Sequence, residues 1–185
     1  MHPIAVLRQV GRLKPGRALD IGARDFAITR SLAQVGYDVH AIDPAPPATA
    51  VLPDGVRFER SRLEDFAPPH GYDFVVASLV SHLVRYDTPA LLARLSDLAT
   101  SGGLVYATVI GDRDGWAGEA WAKATGRDRL LDCLAVRGAQ LHYHAEECFD
   151  GHLYDGTPKH WHLHTLVFSA QASIAPEVGP SNSGP

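Results

Sequence analysis

Two carboxylates and a glycine, placed near the ends of two apolar segments, have the spacing of a nucleoside-binding site. Residues 18–21 contain Asp20 and lead into Gly22, and residues 39–42 lead into Asp43, 21 positions after that glycine. A glycine after a strand lets the backbone approach a ligand closely, and a carboxylate at the tip of the next strand can accept both ribose hydroxyls. We therefore predict that Gly22 and Asp43 bind a nucleoside and that Asp20 organises the loop between them.

Histidines are the second group that could do chemistry. His82 follows an apolar segment, residues 72–77, at the end of the strand where ligands of doubly wound sheets lie. An imidazole there could remove a proton from a nucleophile near neutral pH. The alternative is a helix histidine packed against the edge of the sheet. His82 is therefore a candidate general base.

Six of the ten histidines lie between His142 and His164. Five of them alternate along two strand-like segments, which places each set on one face of its strand; they are His142, His144, His160, His162 and His164. If the two faces coincide, imidazoles converge near Glu146, Glu147 or Cys148, a donor set that suits zinc. No compact spacing such as HxxxH or CxxC accompanies them, so a resident metal is not favoured. The other interpretations are an acceptor pocket, in which His144 or His162 acts as a base, and a structural role in the sheet.

The elements that must position these residues alternate between strand and helix. Apolar segments predict strands over residues 17–21, 39–42, 56–60, 72–77 and 104–110, and helical patterns cover residues 26–35 and 88–98. This alternation predicts a parallel sheet with helices on both faces. After Gly111 the pattern predicts a helix over residues 116–136, interrupted at Gly126, and then strands over 140–144 and 162–168. Turn residues at 155–158 lie between these last two strands and predict a hairpin.

Composition narrows the function classes. The 185 residues are 45% hydrophobic and 21% charged, with a formal net charge of −4 and scattered Lys and Arg. We therefore expect a globular protein with no nucleic-acid partner. Two cysteines indicate no disulfide framework, and no apolar run has membrane-spanning length, so we expect a cytoplasmic protein. We predict one domain over residues 1–169 and a disordered tail over 170–185; an exposed sheet edge could support a homodimer.

Five strand-like segments followed by a hairpin resemble the class I S-adenosylmethionine-dependent methyltransferases, and among them the compact small-molecule enzymes of the tellurite-resistance type. The resemblance runs from about residue 13 to residue 169, and the segments that carry it are residues 18–22, 41–43, 58–66, 72–83 and 102–106. It implies an α/β, doubly wound, Rossmann-like fold. The sheet would have seven mainly parallel strands and end in a C-terminal antiparallel β-hairpin.

The resemblance also implies a cofactor and the residues that hold it. S-adenosylmethionine would be bound and S-adenosylhomocysteine released. The residues at the methionine end and around the sulfonium would be Gly22, Ala23, Arg24, Ala77 and Ser78, with Asp20 organising the loop. Asp43 would bind the ribose, and Leu63 and Glu64 the adenine, although Asp65 could accept from the adenine amino group instead. His82, His144 or His162 would be the general base for an oxygen, nitrogen or sulfur acceptor on a small molecule.

The first motif departs from the family pattern, which usually has three glycines at alternate positions. Only Gly22 is present, and Arg24 and Phe26 occupy the other two places. This loss argues against a nicotinamide dinucleotide, whose pyrophosphate needs closely approached backbone. Arg24 could instead bind the carboxylate of the cofactor. Alternatives to methyl transfer are other S-adenosylmethionine chemistry, such as a cyclase or aminocarboxypropyl transfer, and a non-catalytic nucleotide- or metal-binding module.

Overall fold

The structure, a computed structural model, describes residues 1–153 and 155–169; the predicted disordered tail lies outside the described residues. The strands are β1 (Arg17–Ile21), β2 (Asp38–Ile42), β3 (Arg57–Glu59), β4 (Tyr72–Ala77), β5 (Ala99–Ile110), β6 (Gln140–His152) and β7 (Pro158–Ser169). The helices are α1 (Pro3–Gln9), α2 (Ala27–Gln34), α3 (Thr88–Leu98) and α4 (Arg127–Val136), with a short 3₁₀ helix at Ala120–Ala122. None of the helices in the described part of the chain is long and apolar enough to cross a membrane.

The described strands form one seven-stranded sheet in the order β3-β2-β1-β4-β5-β7-β6. The neighbours among β1 to β5 pair in parallel. The last strand, β7, is antiparallel to both β5 and β6. The predicted fold class is therefore confirmed: a mainly parallel, doubly wound sheet that ends in an antiparallel hairpin.

Two apolar layers cover the central strands, which explains why those strands are apolar at nearly every position. On one side, Val75 of β4 packs with the leucine stripe of α3 and with α4. On the other, Phe74 and Val76 pack with α1 and α2. Helix α3, which carries this stripe, begins after Asp87, because the Asp87 carboxylate caps the helix by accepting the Ala90 N–H at 2.9 Å.

The largest difference from the predicted elements lies between β5 and α4. The helix predicted over residues 116–136 is wrong for its first half. There the Asp114 carboxylate accepts the Trp116 N–H at 3.0 Å and forms a turn, and Lys123 adopts a left-handed φ of 54°. Helix α1 and the full length of the hairpin strands are also additions to the predicted pattern.

Parallel register brings the ends of the central strands to one edge of the sheet. Ile21 of β1 pairs with Ile42 of β2 and with Ala77 of β4. The residues that follow these three strands therefore emerge side by side, at the edge where ligands of doubly wound sheets bind.

Candidate active site

A cavity of about 820 Å³ lies at the carboxyl ends of β1, β2 and β4. Its size is that of a small-molecule or cofactor site. Eight of the nine residues predicted to hold a cofactor line it: Asp20, Gly22, Ala23, Arg24, Asp43, Leu63, Glu64 and Ser78. The ninth, Ala77, does not line the cavity, because it is buried between Ile21 of β1 and Ala107 of β5.

The loop after β1 has the left-handed backbone typical of glycine at three positions, although a glycine stands at a single one of them. Gly22, Arg24 and Phe26 have φ values of 73°, 45° and 61°, all in the left-handed region. A Cβ on Gly22 would lie 2.4 Å from Val80 Cγ1, so this position admits no side chain without movement. Phe26 is buried against Phe58, with ring centroids 5.3 Å apart, and this packing offsets the strain that a non-glycine residue incurs there.

Asp43 connects this loop to the next strand. Its Oδ2 accepts the Arg24 N–H at 3.0 Å, and its Oδ1 accepts the Ala45 N–H at 2.7 Å. A carboxylate has about four lone-pair sites, so each oxygen retains acceptor capacity toward a ligand. Asp43 lines the cavity and is 9% exposed. The arrangement can thus hold the loop and accept two hydroxyls at the same time.

Asp20 lies beneath the loop and is almost wholly buried. It accepts the Thr29 hydroxyl at 2.5 Å, which ties the end of β1 to α2. Burial raises the pKa of Asp20 to about 6; hydrogen bonds from Thr29 oppose the shift, and the charges of Asp43 and Asp25 add to it. Asp20 thus connects the end of β1 to α2 beneath the loop, and its role as an organiser of the loop stays a prediction.

The segment after β3 forms the opposite wall of the cavity. Leu63 is buried and gives an apolar surface, and Glu64 accepts the Arg85 N–H through Oε1. This bond fixes the wall to the turn that follows β4. Asp65 is exposed and does not line the cavity, so of the two acids considered for a nucleobase contact only Glu64 is placed there.

The second half of the cavity is aromatic. It is lined by His82, Trp116, His152, Leu153 and Trp161. The His82 ring lies 5.4 Å from the Trp116 ring, and its Nδ1 is enclosed without a hydrogen-bond partner among the described residues. Burial lowers the pKa of His82, and the positive charges of Lys159 and Lys123 act in the same direction. The lowered pKa favours the neutral imidazole, the form that can accept a proton.

A buried ion pair holds the aromatic residues together. Lys159 Nζ contacts the Asp114 carboxylate and lies 4.1 Å from the ring centroids of both Trp116 and Trp161. Asp114 also accepts the backbone N–H of His162 at 2.9 Å. These contacts attach the loop after β5 to the hairpin and set the position of Trp116 in the cavity wall.

His144 and His162 lie elsewhere. Alternation along β7 sends Trp161 toward the cavity and His162 to the other face of the hairpin, where its Nε2 lies 3.0 Å from Glu146 Oε1. His144 is on that same face and contacts His164. The two histidine-bearing faces thus coincide, but neither His144 nor His162 is among the residues that line the cavity.

Two residues at the site, Leu79 and His152, received no role from the sequence patterns, and Trp161 was considered only as a neighbour of a possible acceptor pocket. Leu79 has a φ of 55° in the turn after β4, a strained value of the kind that concentrates at functional sites. The orientation of Trp161 could have been inferred from the sequence, because the alternation that groups the histidines of β7 on one face places Trp161 on the opposite face. His152 and Leu153 depend on the length of the hairpin, which no short motif reveals.

Comparisons with known proteins agree with this geometry. A family model described as a methyltransferase domain matches residues 4–154. The comparison with curated proteins found no significant match.

Three solved structures illustrate the shared fold. TehB from Haemophilus influenzae has a TM-score of 0.72 at 15% identity, over 90% of this chain and 62% of that protein, so this chain spans less than two thirds of it. The N-methyltransferase NodS from Bradyrhizobium japonicum WM9, in complex with S-adenosylhomocysteine, has a TM-score of 0.65 at 15% identity, over 92% and 86%. Magnesium protoporphyrin IX methyltransferase from Synechocystis PCC 6803, with bound S-adenosylmethionine, has a TM-score of 0.63 at 19% identity, over 91% and 76%.

Proposed function

The chain belongs to the methyltransferase domain family, and we propose that it transfers the methyl group of S-adenosylmethionine to an oxygen or nitrogen of a small molecule. One observation carries the proposal. The cavity that collects the predicted cofactor residues continues into an aromatic half that contains a histidine of lowered pKa, His82. A nucleoside site and a proton acceptor in one cavity are what methyl transfer to a hydroxyl or amine requires.

The residues present fit the cofactor. Asp43 keeps acceptor capacity for ribose hydroxyls, Gly22 leaves the backbone open to close approach, and Leu63 offers an apolar surface to a nucleobase. When bound, S-adenosylmethionine supplies a methyl group on a positively charged sulfur, which is already an activated leaving group. The carboxylates of Asp20 and Asp43 lie at this end of the cavity and favour a cationic ligand.

The chain's own residues then align the acceptor and manage its proton. Trp116 and Trp161 bound the acceptor half of the cavity and exclude water from it. His82 would accept the proton that the acceptor hydroxyl or amine loses, while the bond between the methyl carbon and the sulfonium would break to leave a neutral thioether. Because burial, aided by the charges of Lys159 and Lys123, lowers the pKa of His82, its neutral form is favoured and can accept a proton without a prior change of charge state.

The glycine-type backbone favours methyl transfer over chemistry that needs a re-posed cofactor. Arg24 and Phe26 stand where glycines are usual, yet their φ values remain left-handed, like that of Gly22. The path of the loop is therefore that of a glycine-rich loop. A cyclase or aminocarboxypropyl transfer would require a different path of the loop or a different pose of the cofactor, and the φ values of the loop do not suggest either.

Calorimetric titration with S-adenosylhomocysteine tests the cofactor site. We expect a Kd on the order of 1 µM for the wild type, about −8 kcal/mol. The Asp43→Ala variant loses two charge-assisted bonds of about 1.5 kcal/mol or more each, so its Kd should rise at least about 100-fold. Asp38→Ala, which removes an exposed carboxylate from the other end of β2, is the matched control and should bind like the wild type.

Two results would contradict the assignment: no binding by a folded wild type, or equal Kd values for the Asp43→Ala and Asp38→Ala variants. Circular dichroism of each variant separates loss of the site from loss of the fold. Once binding is established, transfer of a labelled methyl group to panels of phenols, N-heterocycles and thiols identifies the acceptor class. Transfer to thiols alone would overturn the choice of an oxygen or nitrogen acceptor.

A further inference from the structure

On the face of the hairpin that points away from the cavity, we propose that Glu146, His162 and His164 bind a divalent transition-metal ion of the zinc type. Each of the three offers one ligand atom, and these atoms lie within 4.8 Å of one another. Two imidazoles and a carboxylate are a donor set that zinc accepts, with a fourth position left for water or another side chain. Nothing in the proposed methyl transfer uses these residues.

Strand pairing brings the three ligands together. Glu146 of β6 is directly opposite His164 of β7, and His162 is its diagonal neighbour on the same face. Directly opposite residues have Cβ atoms about 5 Å apart and diagonal neighbours about 7–8 Å apart, a separation that long side chains can still span, so the three side chains reach a common point. Both histidines are fully buried, which restricts their rotamers and holds the rings toward Glu146.

An independent observation at His164 points to a missing ligand. Its Nε2 is buried and has no hydrogen-bond partner within residues 1–153 and 155–169. Its other nitrogen, Nδ1, lies 3.1 Å from His144 Nε2. A buried polar atom left unpaired costs about 1–3 kcal/mol, and a ligating histidine typically has its outer nitrogen engaged in this way. A metal on Nε2 would satisfy the atom.

The positively charged side chain of Arg113 lies where the proposed metal ion would bind, against Glu146 and His162. Its guanidinium contacts Glu146 Oε1 and lies 3.3 Å from His162 Nε2, and its backbone N–H donates to His162 Nδ1 at 2.9 Å. Metal binding must therefore displace Arg113, whose side chain is 62% exposed. The His162 ring proton then moves from Nε2 to Nδ1, so Nδ1 no longer accepts the Arg113 backbone N–H and this segment must shift together with the Arg113 side chain. The acceptor for the new N–H is the Asp112 carboxylate, whose Oδ1 lies 3.5 Å from Nδ1. That carboxylate would orient the ring, as outer partners of ligating histidines do.

The chelator-treated full chain, titrated calorimetrically with zinc chloride, tests the proposal. We expect binding of one ion per chain. Arg113→Ala, which removes the competing cation, should tighten binding about tenfold. Glu146→Gln and His164→Phe should each weaken it at least about 100-fold. His160→Gln is the matched control, since His160 lies on the same face but pairs with Asp150, and its substitution should leave the affinity unchanged.

Cobalt absorption provides a second readout, because tetrahedral Co²⁺ with nitrogen and oxygen ligands absorbs in the visible range and the octahedral aqueous ion does so only weakly. The proposal is overturned if neither the wild type nor Arg113→Ala binds one ion, or if Glu146→Gln binds as the wild type does. The Glu146 side chain is 28% exposed, so this substitution should keep the fold even if His164→Phe does not. Binding of S-adenosylhomocysteine by Glu146→Gln should be normal, which separates this site from the cofactor site.

Discussion

Replacing the buried carboxyl of Asp20 with an amide should stabilise the protein at neutral pH and not at acid pH. In the wild type, burial raises the pKa of Asp20 to about 6 from the ordinary value of 3.8. The folded state therefore binds the proton more tightly than the unfolded state does. The stability that this group contributes is fully present below pH 3.8 and is lost as the pH rises through about 6. The Asp20→Asn variant lacks this titration.

The size of the effect follows from the two pKa values. Each pKa unit corresponds to about 1.4 kcal/mol, so the wild type loses about 3 kcal/mol over the whole transition, and most of this falls between pH 4 and pH 7.5. The amide oxygen of Asp20→Asn can still accept the Thr29 hydroxyl, so the tie to α2 is retained. The free energy of unfolding of the variant minus that of the wild type should therefore increase by about 2–3 kcal/mol across this range.

Urea unfolding, followed by circular dichroism at several pH values, measures this difference. The matched control is Asp25→Asn, in the same loop, whose carboxylate is exposed and accepts the Ala27 N–H. Its difference from the wild type should vary little with pH. A difference for Asp20→Asn that is constant with pH, or that decreases toward neutral pH, would refute the reasoning that burial destabilises the charged form of Asp20.

Two further predictions concern the chemistry and the loop. His82→Gln should lower kcat by about 10²- to 10⁴-fold and leave the Kd for S-adenosylhomocysteine unchanged. In the wild type, the acid limb of the kcat profile should lie below pH 6.5, because the pKa of His82 is lowered. A loss of cofactor binding as large as the loss of kcat would assign His82 a structural role. Gly22→Ala should destabilise the fold by about 1–3 kcal/mol, and Val80→Ala in the same chain should recover part of the loss by removing the clash with Val80 Cγ1. Denaturant unfolding of the four variants in that cycle checks this, and strict additivity would contradict it.

The residues of the first loop show where local sequence was sufficient and where it was not. The spacing from Gly22 to Asp43 predicted that strand ends would bring them together, because parallel strands of similar length end at one edge of a sheet. Arg24 and Phe26 stand at positions where the family pattern has glycines. Their backbone angles are nevertheless those of a glycine-rich loop, since burial of Phe26 against Phe58 stabilises a conformation that the residue type disfavours.

The hairpin gives the complementary case. Alternation predicted that the histidines of each strand share a face, because side chains alternate with a period of two in any strand. It could not predict which face meets the cavity, as that depends on how β7 inserts between β5 and β6. As a result, Trp161 lines the cavity and His162 does not. The sequence also contained no sign that Arg113, 33 positions before Glu146, would lie on that carboxylate.

Taken by itself, the sequence determined the order of the seven strands, the doubly wound fold and the residues that meet at the carboxyl ends of β1 and β2. All of these depend on patterns within one segment or on the common edge where parallel strands end. Only the tertiary structure decided the aromatic half of the cavity, the lowered pKa of His82 and the grouping of Glu146 with His162 and His164. These depend on long-range pairing and on burial, and burial is a property of the packed chain that no single segment encodes.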